Sequence, residues 1–231
     1  SQPINLTIGL PAPSLLLVSP IDGSKLSSWT LSISGQGTNL DGQFVTARLL
    51  AADLTEACAA TATDPITDGT FDTTVDFLAA CPELQDGAYT LSIDAVDQYG
   101  NSAAALIEDT SLITASASFD TVVPSITIDS PGDGTSFDPA TNAEQVDLDP
   151  GTLVYEISVS ATMGNETSAT GAQLCLETGA FNVCQDVDGA DYSATWPLVP
   201  LNAGENILVV TGSDGHGNTA PPPSVTVTSV S

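Results

Sequence analysis

Short runs of alternating apolar and polar residues extend along almost the whole chain. Examples are TLSIS (30–34), YTLSIDA (89–95), YEISVS (155–160) and NILVVT (206–211), each bounded by Gly, Asp, Asn or Pro. Alternation with a period of two predicts strands that bury one face, and turn residues every 8–12 or so positions are typical of an all-β sandwich. No segment has the period of an amphipathic helix. We therefore predict an all-β protein built from antiparallel Greek-key sandwiches.

An internal repeat of about 110 residues divides the chain. SLLLVSPIDGSKL (14–26) matches SITIDSPGDGTSF (125–137), and DGAYTLSIDAVDQYGNSAA (86–104) matches AGENILVVTGSDGHGNTAP (203–221). A chain of 231 residues is long enough for two domains of about 100 residues each. We predict two immunoglobulin-like domains, at 13–122 and 123–231, which meet near Pro124. The short linker predicts end-to-end stacking.

Residues 1–12 form an arm that has no counterpart before the second repeat. The apolar residues of this arm occupy every second position: Ile4, Leu6, Ile8 and Leu10. Such a pattern predicts a strand with one wholly apolar face, which needs a partner. Two interpretations are open. The arm folds back onto its own domain as a split edge strand, or it adds to a sheet of a neighbouring copy, where main-chain hydrogen bonds and side-chain pockets would hold it.

The chain is strongly acidic. Lys25 and Arg48 are its only strong cations against 29 Asp and Glu, and the formal net charge is −27. This charge repels nucleic acid and anionic membranes, and no apolar stretch approaches the ~20 residues that span a bilayer. The start at Ser1 fits a mature chain after removal of a signal peptide. We expect an extracellular protein at the cell surface, without direct membrane insertion.

Four cysteines are distributed two per half: Cys58, Cys81, Cys175 and Cys184. Folding LCLETGAFNVC (174–184) into a hairpin places the second pair opposite each other on adjacent strands, which suits a disulfide. The first pair would then bond within the first half, which implies an oxidising compartment. Four free buried thiols are the alternative.

Two loops with the pattern Asp-x-x-Gly-Asn follow strands at matching places, DQYGN (97–101) and DGHGN (214–218). At the domain boundary Asp120 comes soon after the first loop, and the Asp133 turn opens the next domain. Because calcium takes six to eight oxygen ligands, convergence of Asp97, Asn101, Asp120 and Asp133 predicts a calcium site. The alternative is a tight turn in which the Asp and Asn side chains cap the backbone and the glycine adopts a positive φ.

This order of elements resembles the bacterial immunoglobulin-like repeats of calcium-binding surface adhesins and cell-envelope filament proteins. The matching elements are LSIDAVDQYGNSA (91–103), SFDT (118–121) and VPSITIDSP (123–131), and the resemblance extends over residues 14–231. It implies a stiff stalk or adhesive module. It also implies metal roles for six residues: Asp97, Asn101, Asp120, Asp133 and, by match of the second loop, Asp214 and Asn218. The disulfides and the N-terminal arm depart from the usual repeat.

We expect a secreted structural subunit of an extracellular filament, assembled by strand addition and stiffened by calcium. Its partners would be other copies of itself, or cell-surface proteins and glycans. A calcium-rigidified adhesin stalk is the alternative within this class. A carbohydrate-binding sandwich is the alternative from another class; it needs an exposed aromatic platform, for which Trp29 and Trp196 compete with core packing. No enzyme is expected, since the sole histidine, His216, lies in a glycine-rich loop and no catalytic motif is present.

Overall fold

The computed structural model describes residues 11–107, 114–138, 146–148, 155–165, 170–187 and 192–230. These residues divide into two compact units, Ser1–Thr121 and Val122–Ser231, called unit 1 and unit 2. Over the described ranges almost all regular structure is β-strand, with a single four-residue helix. None of the helical structure there is long and apolar enough to cross a membrane. The predicted apolar residues of the arm, Ile4, Leu6, Ile8 and Leu10, lie outside the described residues.

The described residues of unit 1 form nine strands and the short helix. In chain order they are β1 (Ser14–Ser19), β2 (Ser24–Leu26), β3 (Thr30–Thr38), β4 (Val45–Leu50), β5 (Glu56–Thr61), β6 (Thr70–Asp76), α1 (Phe77–Ala80), β7 (Gly87–Val96), β8 (Ser102–Ile107) and β9 (Ala115–Phe119). One layer has the order β6-β3-β1 and the other β5-β4-β7-β9-β2. β8 pairs with β7 and with β1, so it joins the two layers.

Unit 2 has a similar plan, and its described residues form nine strands: β10 (Ser125–Ser130), β11 (Ser136–Phe137), β12 (Val146–Leu148), β13 (Tyr155–Gly164), β14 (Gln173–Thr178), β15 (Phe181–Asp186), β16 (Ser193–Leu201), β17 (Gly204–Ser213) and β18 (Ser224–Ser229). In one sheet β13 pairs with β10, β12 and β16, and the other has the order β11-β18-β17-β14-β15.

The sequence repeat corresponds to a structural repeat, because equivalent strands of the two units pair in the same way. β1 pairs antiparallel with β3, and β10 pairs antiparallel with β13, each with a register irregularity near its end. The following turn runs into a short strand that pairs in parallel with the last strand of the unit, β2 with β9 and β11 with β18. This Greek-key arrangement of two sheets is an immunoglobulin-like β-sandwich. The predicted all-β fold class is therefore confirmed.

Each unit buries one tryptophan in its core. The ring of Trp29 stacks on that of Phe119, with centroids 4.3 Å apart, and Tyr89 and Phe77 pack edge-on against Phe119. In unit 2, Trp196 is 1% exposed and its Nε1 donates a hydrogen bond to the carbonyl oxygen of Val183. Both tryptophans are core residues, so neither is an exposed aromatic platform.

On the outer face of unit 1, Arg48 joins three strands electrostatically. From β4 its Nε lies 2.6 Å from a carboxylate oxygen of Asp94 on β7, and its Nη1 lies 2.6 Å from one of Glu56 on β5. Hydrogen bonds to these two carboxylates raise the pKa of the guanidinium. One of the two strong cations in a chain of charge −27 thus neutralises two neighbouring carboxylates across the sheet.

Candidate functional site

The first acidic loop is closed by the carboxylate of Asp97, directly after β7. Its Oδ1 accepts backbone N–H groups from Tyr99 and Asn101, both at 2.8 Å, and its Oδ2 accepts the side-chain Nδ2 of Asn101 at 2.8 Å. The N–H of Asp97 donates to the carbonyl of Asn101, and Gly100 has a φ of 88°. Hydrogen bonding, chiefly from the Asn101 side chain, lowers the pKa of Asp97. The ionised carboxylate therefore organises the turn.

The second acidic loop has the same geometry in unit 2. Asp214 Oδ1 accepts the N–H groups of His216 and Asn218 at 2.8 Å, and Oδ2 accepts Nδ2 of Asn218 at 2.6 Å. Gly217 has a φ of 92°, which suits glycine. Asp214 is 3% exposed and Asp97 is 6% exposed. The motif thus encodes a turn closed by an almost fully buried carboxylate.

These bonds bear directly on the predicted calcium ligands. In both Asp97 and Asp214, Oδ1 accepts two N–H groups and Oδ2 accepts one, so a cation would either use the lone pair left on Oδ2 or compete with the bonds that shape the loop. In the part of the chain that the structure describes, no group of three or more His, Cys, Asp or Glu side chains is arranged to hold a metal. The donor set present does not fit a calcium cage. Calcium binding stays a prediction.

The structure does not bring Asp97 and Asp120 together. Gly87, at the start of β7, pairs with Phe119, so Asp120 lies at one end of this strand and Asp97 follows the other end. Ten strand residues separate the two ends, or about 30 Å at the rise of a β-strand. The expected convergence of these two residues on one ion was wrong because a whole extended strand stands between them.

Asp133 anchors a turn to the last strand of unit 2. Its Oδ1 accepts the N–H of Thr226 on β18 at 2.8 Å. The equivalent residue of unit 1, Asp22, accepts the N–H and the hydroxyl of Ser116 on β9, both at 2.7 Å. The hydrogen bonds from Ser116, above all the one from its backbone N–H, lower the pKa of Asp22. The repeated Asp-Gly pair therefore ties the turn after the first strand to the end of the domain.

Both predicted disulfides are present. Cys58 bonds to Cys81, which follows α1, and Cys175 bonds to Cys184 across the β14–β15 hairpin. Cys58 is buried in the core of unit 1, whereas Cys184 is exposed on the edge strand β15. Disulfides form and persist in oxidising compartments, such as the extracellular space.

Sequence analysis missed an exposed aromatic residue of unit 1, Tyr99. This side chain is 60% exposed in the first acidic loop. It lines a cavity of about 300 Å³ together with Asn39, Asp41, Gln43 and Gln98, residues that carry amide or carboxylate side chains. An aromatic face beside amides and carboxylates can stack on and hydrogen-bond to a sugar ring. Its sequence signal is the position of Tyr99 inside the Asp-x-x-Gly-Asn loop.

Several solved structures are similar to this chain. The fibronectin(III)-like modules of CbhA from Clostridium thermocellum are 13% identical, with a TM-score of 0.47 and coverage of 94% of each chain. A tetra-tandem repeat from the extending region of a large adhesion protein is 18% identical (TM-score 0.33); the match covers 93% of this chain and 48% of that one. The D00-D0 domain of intimin is 15% identical (TM-score 0.29), with coverage of 92% and 98%.

This chain therefore spans about half the length of the adhesion-protein repeat. No family model and no curated protein sequence matches it. Identities this low bear on the fold alone. The function must be argued from the chain's own residues.

Proposed function

We propose that this protein is a secreted, non-catalytic structural subunit of an extracellular surface filament, in which residues 1–12 of one copy add as a strand to a sheet of the next. The observation that carries the proposal is the alternation of apolar residues at positions 4, 6, 8 and 10. A strand with one wholly apolar face is stable only when a sheet accepts its backbone and a core covers its side chains.

The composition and covalent structure support an extracellular role. Two disulfides stabilise two small sandwiches in a compartment where thiols oxidise. A net charge of −27 makes the bodies of two copies repel each other, so an assembly needs a specific contact. The arm meets this need, because residues 1–12 contain no charged side chain.

Self-association of the full chain tests the proposal. Sedimentation velocity and electron microscopy should show concentration-dependent filaments, and deletion of residues 1–12 should leave a folded monomer. The matched control replaces polar residues of the arm, Asn5→Asp with Thr7→Asp, and should still assemble. Dispersed monomers of the intact chain would refute the filament and favour the stalk of a longer adhesin. Filaments that persist without the arm would refute strand addition.

The predicted role of calcium is tested in the same preparation. Assembly and thermal stability are measured with calcium and after chelation, for the intact chain and for Asp97→Ala. A calcium-dependent rise in melting temperature that Asp97→Ala abolishes would support a metal at the first loop. Identical behaviour with calcium and with chelator would remove calcium from the account and leave Asp97 as a turn-closing residue.

A carbohydrate-binding function is the second candidate, and the exposed ring of Tyr99 beside its cavity favours it. Stacking of a sugar on an aromatic ring depends on that face, so Tyr99→Ala should abolish glycan binding and Tyr99→Phe should largely keep it. A glycan array followed by calorimetry with any retained sugar makes the comparison. An array without signal for the intact chain would eliminate this function.

A further inference from the structure

The two units differ in how they cover their first strand. In unit 1, β8 leaves its pairing with β7 after Ala104 and runs parallel to β1, where Leu15 faces Ala105 and Leu17 faces Ile107. Leu15 and Leu17 are consequently buried, with exposures of 4% and 1%. Both edges of β1 are paired, one with β3 and the other with β8.

Unit 2 has no counterpart of this covering strand among its described residues. After the second acidic loop, Thr219 forms a β-bridge with Ser213, and the N–H of Ala220 donates to the carbonyl oxygen of Gly212. β8 of unit 1 begins with the equivalent pairing to β7. The next three residues are all proline and have no backbone N–H to donate. The chain then enters β18, so four residues, 221–224, link this point to the last strand, whereas the sequence of unit 1 has eleven residues, 104–114, between the equivalent positions.

Within the described part of unit 2, one edge of β10 is therefore left without a strand. Among the described strands, β10 pairs with β13 alone. Ile126 and Ile128, which correspond to the buried Leu15 and Leu17, are only partly buried. Unpaired backbone groups flanked by partly exposed aliphatic side chains form a template for strand addition.

We propose that this edge of β10 is the acceptor in assembly, and that residues 4–10 of a second copy occupy it, parallel to β10, in the position that β8 takes in unit 1. The inference rests on the proposed filament and names its acceptor. Unit 1 shows what the position requires: Ala105 of β8 is 2% exposed whereas its neighbour Leu106 is 45% exposed. Residues 4–10 have this alternation, and each of them has a backbone N–H.

Two competing sheet edges are less suited to accept a strand. β16 lies at the edge of its sheet but contains Pro197 and Pro200, which interrupt its row of donors. At the edge of β6, the carbonyl oxygen of Thr74 already accepts a hydrogen bond from the N–H of Thr63. The edges of β5 and β15, together with the two- to three-residue edge strands β2, β11 and β12, remain as competitors that an experiment can distinguish.

Hydrogen exchange of the full chain tests the acceptor. Amides of residues 126–128 should exchange at least about tenfold more slowly in the assembled chain than in the double variant Leu6→Asp, Ile8→Asp. This variant should need more than about a 100-fold higher concentration to assemble, since each buried aliphatic side chain contributes about tenfold or more to association. The charge-matched control Asn5→Asp, Thr7→Asp should assemble and show the slow exchange.

Each outcome has a distinct meaning. Assembly with slow exchange at β5 or β15 instead of β10 would overturn this inference and leave the filament intact. Slow exchange at β10 in a monomer would show that the arm folds onto its own chain, which also overturns it. Absence of assembly at any concentration would refute the proposed function itself.

A variant of the acceptor provides an independent test. Replacing residues 221–224 with residues 104–114 supplies unit 2 with its own covering strand. A folded variant of this kind, verified by the fluorescence of buried Trp196, should not elongate, and it should cap filaments of the intact chain because its arm still donates. Normal elongation of the folded variant would overturn the proposal. If it does not fold, the exchange experiment with the two arm variants decides.

Discussion

Truncation of equivalent residues in the two units provides a sharp test of the uncovered edge. Leu17→Ala removes a side chain that is 1% exposed in unit 1, and Ile128→Ala removes its partly buried counterpart in unit 2. Truncating a fully buried Leu or Ile to Ala costs about 2–5 kcal/mol, since apolar contact is lost and a cavity remains. A partly exposed side chain loses less contact, so Ile128→Ala should cost about 1–2 kcal/mol in the monomer.

The assay uses the single tryptophan in the core of each unit. In a Trp196→Phe background, fluorescence during urea unfolding reports on unit 1 through Trp29, and in a Trp29→Phe background it reports on unit 2 through Trp196. All chains also contain Leu6→Asp and Ile8→Asp, so that assembly does not contribute to stability. The free energy of unfolding is compared within each background.

Equal losses would refute the reasoning. If Ile128→Ala destabilised unit 2 as much as Leu17→Ala destabilises unit 1, Ile128 would be covered in the monomer and β10 would have no open edge to offer. A small loss in the monomer, together with a large loss of assembly when the arm is restored, is the expected result.

Three further predictions follow from the described contacts. Mild reduction should open Cys175–Cys184 before Cys58–Cys81, because Cys184 is exposed and Cys58 is buried. Timed alkylation with mass spectrometry gives the order, and early labelling of Cys58 would contradict it. Replacing Cys175 and Cys184 with Ser should nevertheless cost less stability than replacing Cys58 and Cys81, roughly 2.6 against roughly 3.4 kcal/mol for sequence separations of 9 and 23. Asp97→Asn should destabilise unit 1 at neutral pH, and the difference in stability between the variant and the intact chain should shrink below about pH 4. The reason is that the pKa of Asp97 is lowered on folding, so the ionised carboxylate is the stabilising form and its contribution is lost as pH falls through the folded-state pKa. A stability difference independent of pH in thermal melts would count against this role. Arg48→Met should cost unit 1 about 1 kcal/mol at low salt and less at high salt, since it removes one exposed ion pair, with Glu56, and one partly buried ion pair, with Asp94. A loss insensitive to salt in urea unfolding would point to packing instead.

Much of the fold could be predicted from local patterns. Alternating runs and turn residues identify strands, and the pairing of Cys175 with Cys184 follows from a hairpin whose turn is visible in the sequence. The acidic loops were harder, because the same Asp and Asn suit either a cation or the N–H groups of their own turn. Only the three-dimensional arrangement shows that Asp97 accepts three such groups.

The uncovered edge could not be predicted from the sequence because it depends on long-range pairing. Residues 221–223 stand out in the sequence as three prolines. Their consequence, an uncovered edge of β10, can be inferred only from the parallel pairing of β1 with β8, two strands about 90 residues apart along the chain. Similarly, the separation of Asp97 from Asp120 can be inferred only from the antiparallel pairing of β7 with β9, in which Gly87 lies opposite Phe119.

A cryo-electron microscopy map of the assembled full chain tests the central claim most directly. The account predicts continuous density for residues 4–10 of one copy alongside β10 of the next, parallel to it, with Ile4, Leu6, Ile8 and Leu10 directed toward Ile126 and Ile128. Density for these residues against their own unit 1, or subunits joined through another surface, would contradict the account.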